Sequence, residues 1–190
     1  KVLPAPRDVR ELSSSFFAGT AGRALPDSVA VLVTGRDGVP VPEVEVAFSV
    51  VAGGGGISPA TAMTDAQGIA RAAWTLGANT GRNVLQAGIA TVGTATLEAE
   101  AYADLSTAIV EVLDGEEQEG VVGEPLPRPI QVRVSDANGN PIRGVTMEWL
   151  VPGDASETGY FQVIMPGPAD NLERLRVPPS AAGQGVPPAV

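Results

Sequence analysis

Apolar and polar residues alternate along two stretches of the chain. Val29, Val31 and Val33 stand two apart with Ala30 and Leu32 between them; past a turn, Val44, Val46, Phe48 and Val50 alternate with Glu45, Ala47 and Ser49. The pattern returns at Ile130, Val132 and Val134, and again at Val145, Met147, Trp149 and Val151. A period of two places one strand face in a core and the other in water. Asp37-Gly38 and Asn138-Gly139 supply the left-handed positions of tight turns. Pro40 and Pro141 stop a strand from running through them.

The two stretches are copies of one another. Pro40 falls on Pro141, an offset of 101 that holds without a gap back to Val9 on Val110. Leu25-Pro26 falls on Leu126-Pro127, Gly19 on Gly120, Gly22 on Gly123, Gly38 on Gly139, Val44 on Val145 and Phe48 on Trp149. A fixed period with self-similarity sets the architecture before any single residue is read. It predicts two tandem domains of one type, residues 1–104 and 105–190.

The remaining elements of the first copy follow from the same signals. Val9 to Phe17 reads as a first strand, Ile69 to Trp74 as a strand after the turn Thr64-Asp65-Ala66-Gln67-Gly68, and Asn83 to Ala90 with Thr94 to Ala103 as a closing pair. About seven short strands spaced by turns in one copy predict an immunoglobulin-like β-sandwich. With 23 Gly, 17 Pro and only 4% aromatic residues, the composition favours short strands and opposes long helices. The linker Ala103-Asp104-Leu105-Ser106 carries no Gly or Pro hinge, which predicts a stiff junction.

Certain landmarks in residues 9–103 carry a family resemblance. They are the D-G-x-P turn, the aromatic in the following strand, the Gly-rich loop Gly53–Gly56 with Ser58-Pro59, the T-D-A-x-G turn, the A-x-W-T-L-G strand around Trp74 and the T-G-x-N turn. Together they resemble the bacterial immunoglobulin-like domains of the invasin and intimin group. The resemblance implies rigid surface modules that hold a binding tip away from a membrane. The second copy keeps the pattern to about Val151 and lacks the T-D-x-x-G turn and the A-x-W-T-L-G strand. Tyr160 to Met165 and Leu172 to Val177 are its remaining strand candidates. Aligning Thr80-Gly81 with Ala182-Gly183 leaves the last strand without a counterpart and puts Pro187-Pro188 in the one before it. The expectation is therefore two tandem sandwiches, the second incomplete, divergent or truncated at its C-terminal end. Further chain, a remodelled sheet or a strand from another subunit would complete it.

Composition then removes most chemistry. There is neither His nor Cys, so a Ser-His-Asp triad through Ser13-Ser14-Ser15, thiolate chemistry and zinc-thiolate sites are excluded. A net charge of −10 opposes nucleic-acid binding through phosphates. No apolar run has the length to span a bilayer. Gly53–Gly56 lacks the Lys-Ser/Thr of a phosphate-binding loop and reads as a strand connection. Glu43 and Glu45 stand two apart as a solvated strand face. Asp114 to Glu119, with Asp104 near in sequence, offers carboxylates for Ca²⁺ but lacks the D-x-D-x-D-G register and reads as a solvated turn. Trp74 and Trp149 sit in alternating apolar strands and read as core rather than as sugar-stacking platforms. Leu32 and the Phe16-Phe17 pair are the candidates for contact with a neighbour. No catalytic, cofactor-binding or metal-ligating residue is assigned, and no cofactor.

The resulting functional expectation is a non-catalytic structural or adhesive module of a bacterial cell-surface or secreted protein, acting as a rigid stalk. Its partners are proteins or neighbouring copies of itself, with a glycan admitted and nucleic acid and membrane insertion excluded. Two alternatives come from other classes: a subunit of an extracellular filament or virion surface, and a glycan-binding accessory module of a secreted enzyme.

Overall fold

The computed structural model describes residues 4–12, 16–119 and 127–148, together with the backbones of 162–164 and 174–176. Its Cα positions group into two compact units, Lys1–Asp104 and Leu105–Val190. Every described element is a strand except two short 3-10 turns, at Arg36–Gly38 and Leu105–Thr107. The fold is all-β and immunoglobulin-like.

Nine strands are found among the described residues of the first unit: β1 (Asp8–Glu11), β2 (Phe16–Thr20), β3 (Val29–Thr34), β4 (Glu45–Ala52), β5 (Gly56–Ser58), β6 (Thr61–Met63), β7 (Ile69–Thr75), β8 (Gly81–Ile89) and β9 (Gly93–Tyr102). One sheet runs β1-β3-β7-β5 and the other β2-β9-β8-β4-β6. All pairings are antiparallel except β2 with β9, which is parallel. The alternation maps onto burial. Val29, Val31 and Val33 of β3, Val46 and Phe48 of β4, and Ala70, Ala72 and Trp74 of β7 face one core with Leu85, Ala87, Leu97, Ala99 and Ala101. Many of these positions are Ala or Val, so one large residue must fill the middle. Trp74 does so, fully buried, with Phe17 meeting its ring edge-on at 6.3 Å and 75°.

The expected strand from Val9 to Phe17 is corrected to two strands in different sheets. β1 pairs with β3, Val9 opposite Val33, whereas β2 pairs with β9, Phe17 opposite Ala99. Leu12 to Ser15 carries no apolar alternation that would hold one continuous strand, and each half closes the edge of a different sheet. β5 and β6, to which the sequence reading assigned no strand, are three-residue edge strands that follow the Gly run; three residues are too few to show a period.

The second unit repeats the register as well as the sequence. β10 (Ile109–Asp114) pairs with β11 (Gln131–Ser135), Val110 opposite Val134 and Val112 opposite Val132. These are the β1–β3 partners Val9–Val33 and Glu11–Val31, each moved by 101. β12 (Thr146–Glu148) pairs with β13 (Gln162–Ile164), Thr146 opposite Ile164, which is the β4–β6 pair Glu45–Met63 moved by the same amount. The copies then part. β13 pairs onward with β14 (Arg174–Arg176), an arrangement with no equivalent among the first unit's pairings. The strand candidates 160–165 and 172–177 contain β13 and β14. Trp149, Pro187-Pro188 and Ala182-Gly183 lie outside the described residues.

Candidate functional site

The polar side chains most tied down by the fold lie in its turns. Asp65 opens the five-residue turn 65–69. Its Oδ1 accepts hydrogen bonds from the Gln67 and Ile69 backbone N–H groups, both at 2.9 Å, and its Oδ2 accepts from Arg71 Nη1 at 2.7 Å. The Arg71 guanidinium, together with these backbone donors, holds the Asp65 carboxyl below its ordinary range. Asp136 repeats the device. Its Oδ1 accepts from the Asn138 and Asn140 backbone N–H groups, both at 2.9 Å, and its Oδ2 from Asn140 Nδ2 at 2.9 Å.

The backbone bonds agree as well. Asp65 N donates to Ile69 O and Gly68 N to Asp65 O; Asp136 N donates to Asn140 O and Gly139 N to Asp136 O. The loop at Gly35 has the same two backbone bonds, Gly35 N to Val39 O and Gly38 N to Gly35 O, without the carboxylate. One turn therefore occurs three times, twice closed by an Asp in the sequence D-A-Gln/Asn-G. That shared motif is the signal that identifies Asp65 and Asp136, and reading the turns separately misses it. A carboxylate surrounded by N–H donors is spent on the loop rather than offered to a cation.

The acidic turn Asp114–Glu119 is likewise held from within. Asp114 Oδ1 accepts from Gly115 N and from Arg128 Nη1, each at 2.7 Å. The buried Gln118 amide donates to the Gly115 and Arg128 carbonyls and accepts from Arg128 N. Asp104 pairs instead with Arg23, at 2.8 Å. Among the described residues no group of three His, Cys, Asp or Glu is placed to hold a metal ion.

The Gly run is explained by close packing. A Cβ on Gly53 would lie 2.5 Å from the Asn83 amide, and one on Gly77 would lie 1.7 Å from the Gly53 carbonyl oxygen. Asn83 is buried at the centre of this contact. It accepts from Gly77 N at 2.9 Å and donates to the Gly81 carbonyl at 3.0 Å. Sequence reasoning saw Asn83 as the end of a turn motif and the start of a strand, since burial and partners are invisible in the spacing.

The other candidates divide. Trp74 is core. Of the Phe16-Phe17 pair, Phe17 packs against the core and Phe16 is 57% exposed. Leu32 is half-buried, opposite Ile69 and Arg10 on neighbouring strands. Glu45 is exposed on β4, but Glu43 precedes the strand in a left-handed conformation, φ 58°. The two do not form one strand face, because the backbone reverses hand between them. Ser13 to Ser15 and Trp149 lie outside the described residues. Tyr102, which sequence reasoning passed over, is 56% exposed at the end of β9. Glu98 and Arg82 form an ion pair across β8 and β9 that lowers the Glu98 pKa and raises that of Arg82. No helix among the described residues is long and apolar enough to cross a membrane, which leaves strand-built spans unaddressed.

No family model and no curated protein matches the sequence. Among solved structures, the chain is similar to the D00-D0 domain of intimin, at 20% identity and a TM-score of 0.37, over 52% of this chain and 50% of that one. It is similar to the Escherichia coli adhesin FdeC, at 15% identity and a TM-score of 0.49, over 87% and 52%. It is also similar to invasin, a bacterial integrin-binding protein, at 18% identity and a TM-score of 0.36, over 84% and 37%. The chain spans about half the length of the first two of these. Intimin and invasin are the two proteins that name the group the sequence landmarks resemble.

Proposed function

We propose that the chain is a non-catalytic module of a bacterial cell-surface or secreted protein, a stalk segment whose partners are proteins or further copies of such modules. The observation that carries this reading is the repetition of strand register at an offset of 101, Val9–Val33 as Val110–Val134 and Glu45–Met63 as Thr146–Ile164. Repetition of one sandwich is the way a spacer is lengthened. The fate of the polar residues supports the same reading. With no His and no Cys, catalysis would fall to carboxylates. Asp65, Asp104, Asp114 and Asp136 are committed to turns and ion pairs. A glycosidase needs two carboxyls facing one cleft, and each of these four is taken up by its own turn or ion pair.

Small-angle scattering of the purified chain tests the stalk. An elongated monomer whose maximum dimension is about that of two sandwiches end to end, unchanged over a wide concentration range, is the expected result. A compact particle, or one that grows into filaments at micromolar concentration, overturns it in favour of an assembly subunit.

A further inference from the structure

We propose that Asn138 is a self-modification site, losing its side-chain amide through a cyclic imide formed with the Gly139 backbone nitrogen. In the step, Gly139 N attacks Asn138 Cγ. A C–N bond forms, the amide proton leaves, and the Cγ–Nδ2 bond breaks with release of ammonia. Water then opens the five-membered ring. Opening at the former side-chain carbonyl leaves aspartate; opening at the main-chain carbonyl leaves isoaspartate, in which the backbone runs through Cβ. Water is the one co-reactant, and nothing is oxidised or reduced.

The structure singles out this position. Asn138 and Gly139 are both exposed at the tip of the turn. A side chain built at Gly139 would meet nothing within 4 Å, so the space beside the attacking residue is open. The other described asparagines lack one requirement each. Asn79 is exposed but precedes Thr80, whose branched Cβ crowds the attacking nitrogen. Asn83 is buried, with both ends of its amide bonded. Asn140 precedes Pro141, which has no N–H to give up. The matched turn of the first unit carries Gln67-Gly68 in the same bonding pattern, and Gln would have to close a six-membered ring. It is an internal control of near-identical geometry.

The turn also sets the rate. Gly139 N–H donates to the Asp136 carbonyl at 2.9 Å, and Asn138 N–H to Asp136 Oδ1 at 2.9 Å. The nucleophile is released only when this turn opens, so Asp136 is a positioning residue that retards the reaction. The product matters to the fold. Isoaspartate adds a backbone atom inside the loop closed by Asp136 N and Asn140 O, and either product places a new negative charge two residues from the buried Asp136 carboxylate. Ageing therefore loosens the turn that follows β11.

The test is peptide mapping by mass spectrometry, with fragmentation that distinguishes isoaspartate, on the full chain incubated at mildly alkaline pH. Conversion at Asn138 is expected to run well ahead of Asn79, with Gln67 unchanged, and to accelerate in urea. Asn138→Gln, which copies the sister turn, is expected to keep the fold and abolish conversion at this site. Equal conversion at Asn138 and Asn79, or conversion that urea does not accelerate, overturns the proposal.

Discussion

At the scale of residues, two buried side chains carry more of the first unit than their number suggests. Trp74 is the largest side chain of a core lined mainly by Val and Ala, so Trp74→Ala leaves a cavity its neighbours cannot fill. The expected cost is about 3–5 kcal/mol, visible as a large fall in melting temperature. The indole N–H finds no hydrogen-bond partner, and an unmet buried donor is itself unfavourable. Trp74→Phe, which removes that donor along with some volume, should therefore cost much less than the alanine change. Equal costs would show that the core needs the whole indole and that its unmet donor carries no penalty. Asn83→Leu is the polar counterpart: it strands Gly77 N–H and the Gly81 carbonyl, and is expected to cost about 1–3 kcal/mol in denaturant titration. Trp74 was legible as core because its neighbours alternate. Asn83 was not, since a buried amide and an exposed one look alike in a turn motif.

At the scale of elements, the sequence announced strands by period and turns by composition, and it erred where both signals ran out. The Val9–Phe17 strand divides between sheets because Leu12 to Ser15 offers no alternation. β5 and β6 escaped notice because three residues define no period. The turns themselves were read correctly as turns, but their shared closure by Asp65 and Asp136 depends on hydrogen bonds that only the folded backbone arranges. This closure has a pH signature. The Asp65 and Glu98 carboxyls are held below their ordinary values of 3.8 and 4.5 by Arg71 and Arg82. A depressed folded pKa gives stability that is present above the unfolded value and lost as pH falls through the folded one. Melting temperature should accordingly stay level from neutral pH down to about 5 and drop below about 4. The drop should be shallower in an Asp65→Asn, Glu98→Gln double variant. Should both proteins lose stability identically, these ion pairs are not its source. The Asp114–Glu119 turn makes the opposite claim, because Arg128 and Gln118 already occupy its interior. EDTA should leave the melting temperature unchanged; a shift of several degrees reversed by Ca²⁺ would assign that turn a cation.

At the scale of the whole molecule, the offset of 101 did more than predict two units, since it also predicted partners. Val110 meets Val134 and Thr146 meets Ile164 because the corresponding residues meet in the first unit. Register follows the alternation, and a slip of one residue would turn every apolar side chain outward. Where the second copy loses the landmarks, after about Val151, its pairings also depart from the first, with β14 added beside β13. The buried cluster of the described residues runs from Val9 to Ala101, within residues 1–104. A unit that closes two sheets over its own core should fold without help. Residues 1–104 expressed alone should melt cooperatively, at the temperature shown by the Trp74 fluorescence of the full chain, and keep slow amide exchange from Val9 to Ala103. In the full chain, the strands after Ile130 should exchange much faster than these. A fragment that is unfolded or markedly less stable alone would mean that the first core depends on the second unit. Uniform protection of both units in a monomer would mean that the second builds as complete a core as the first.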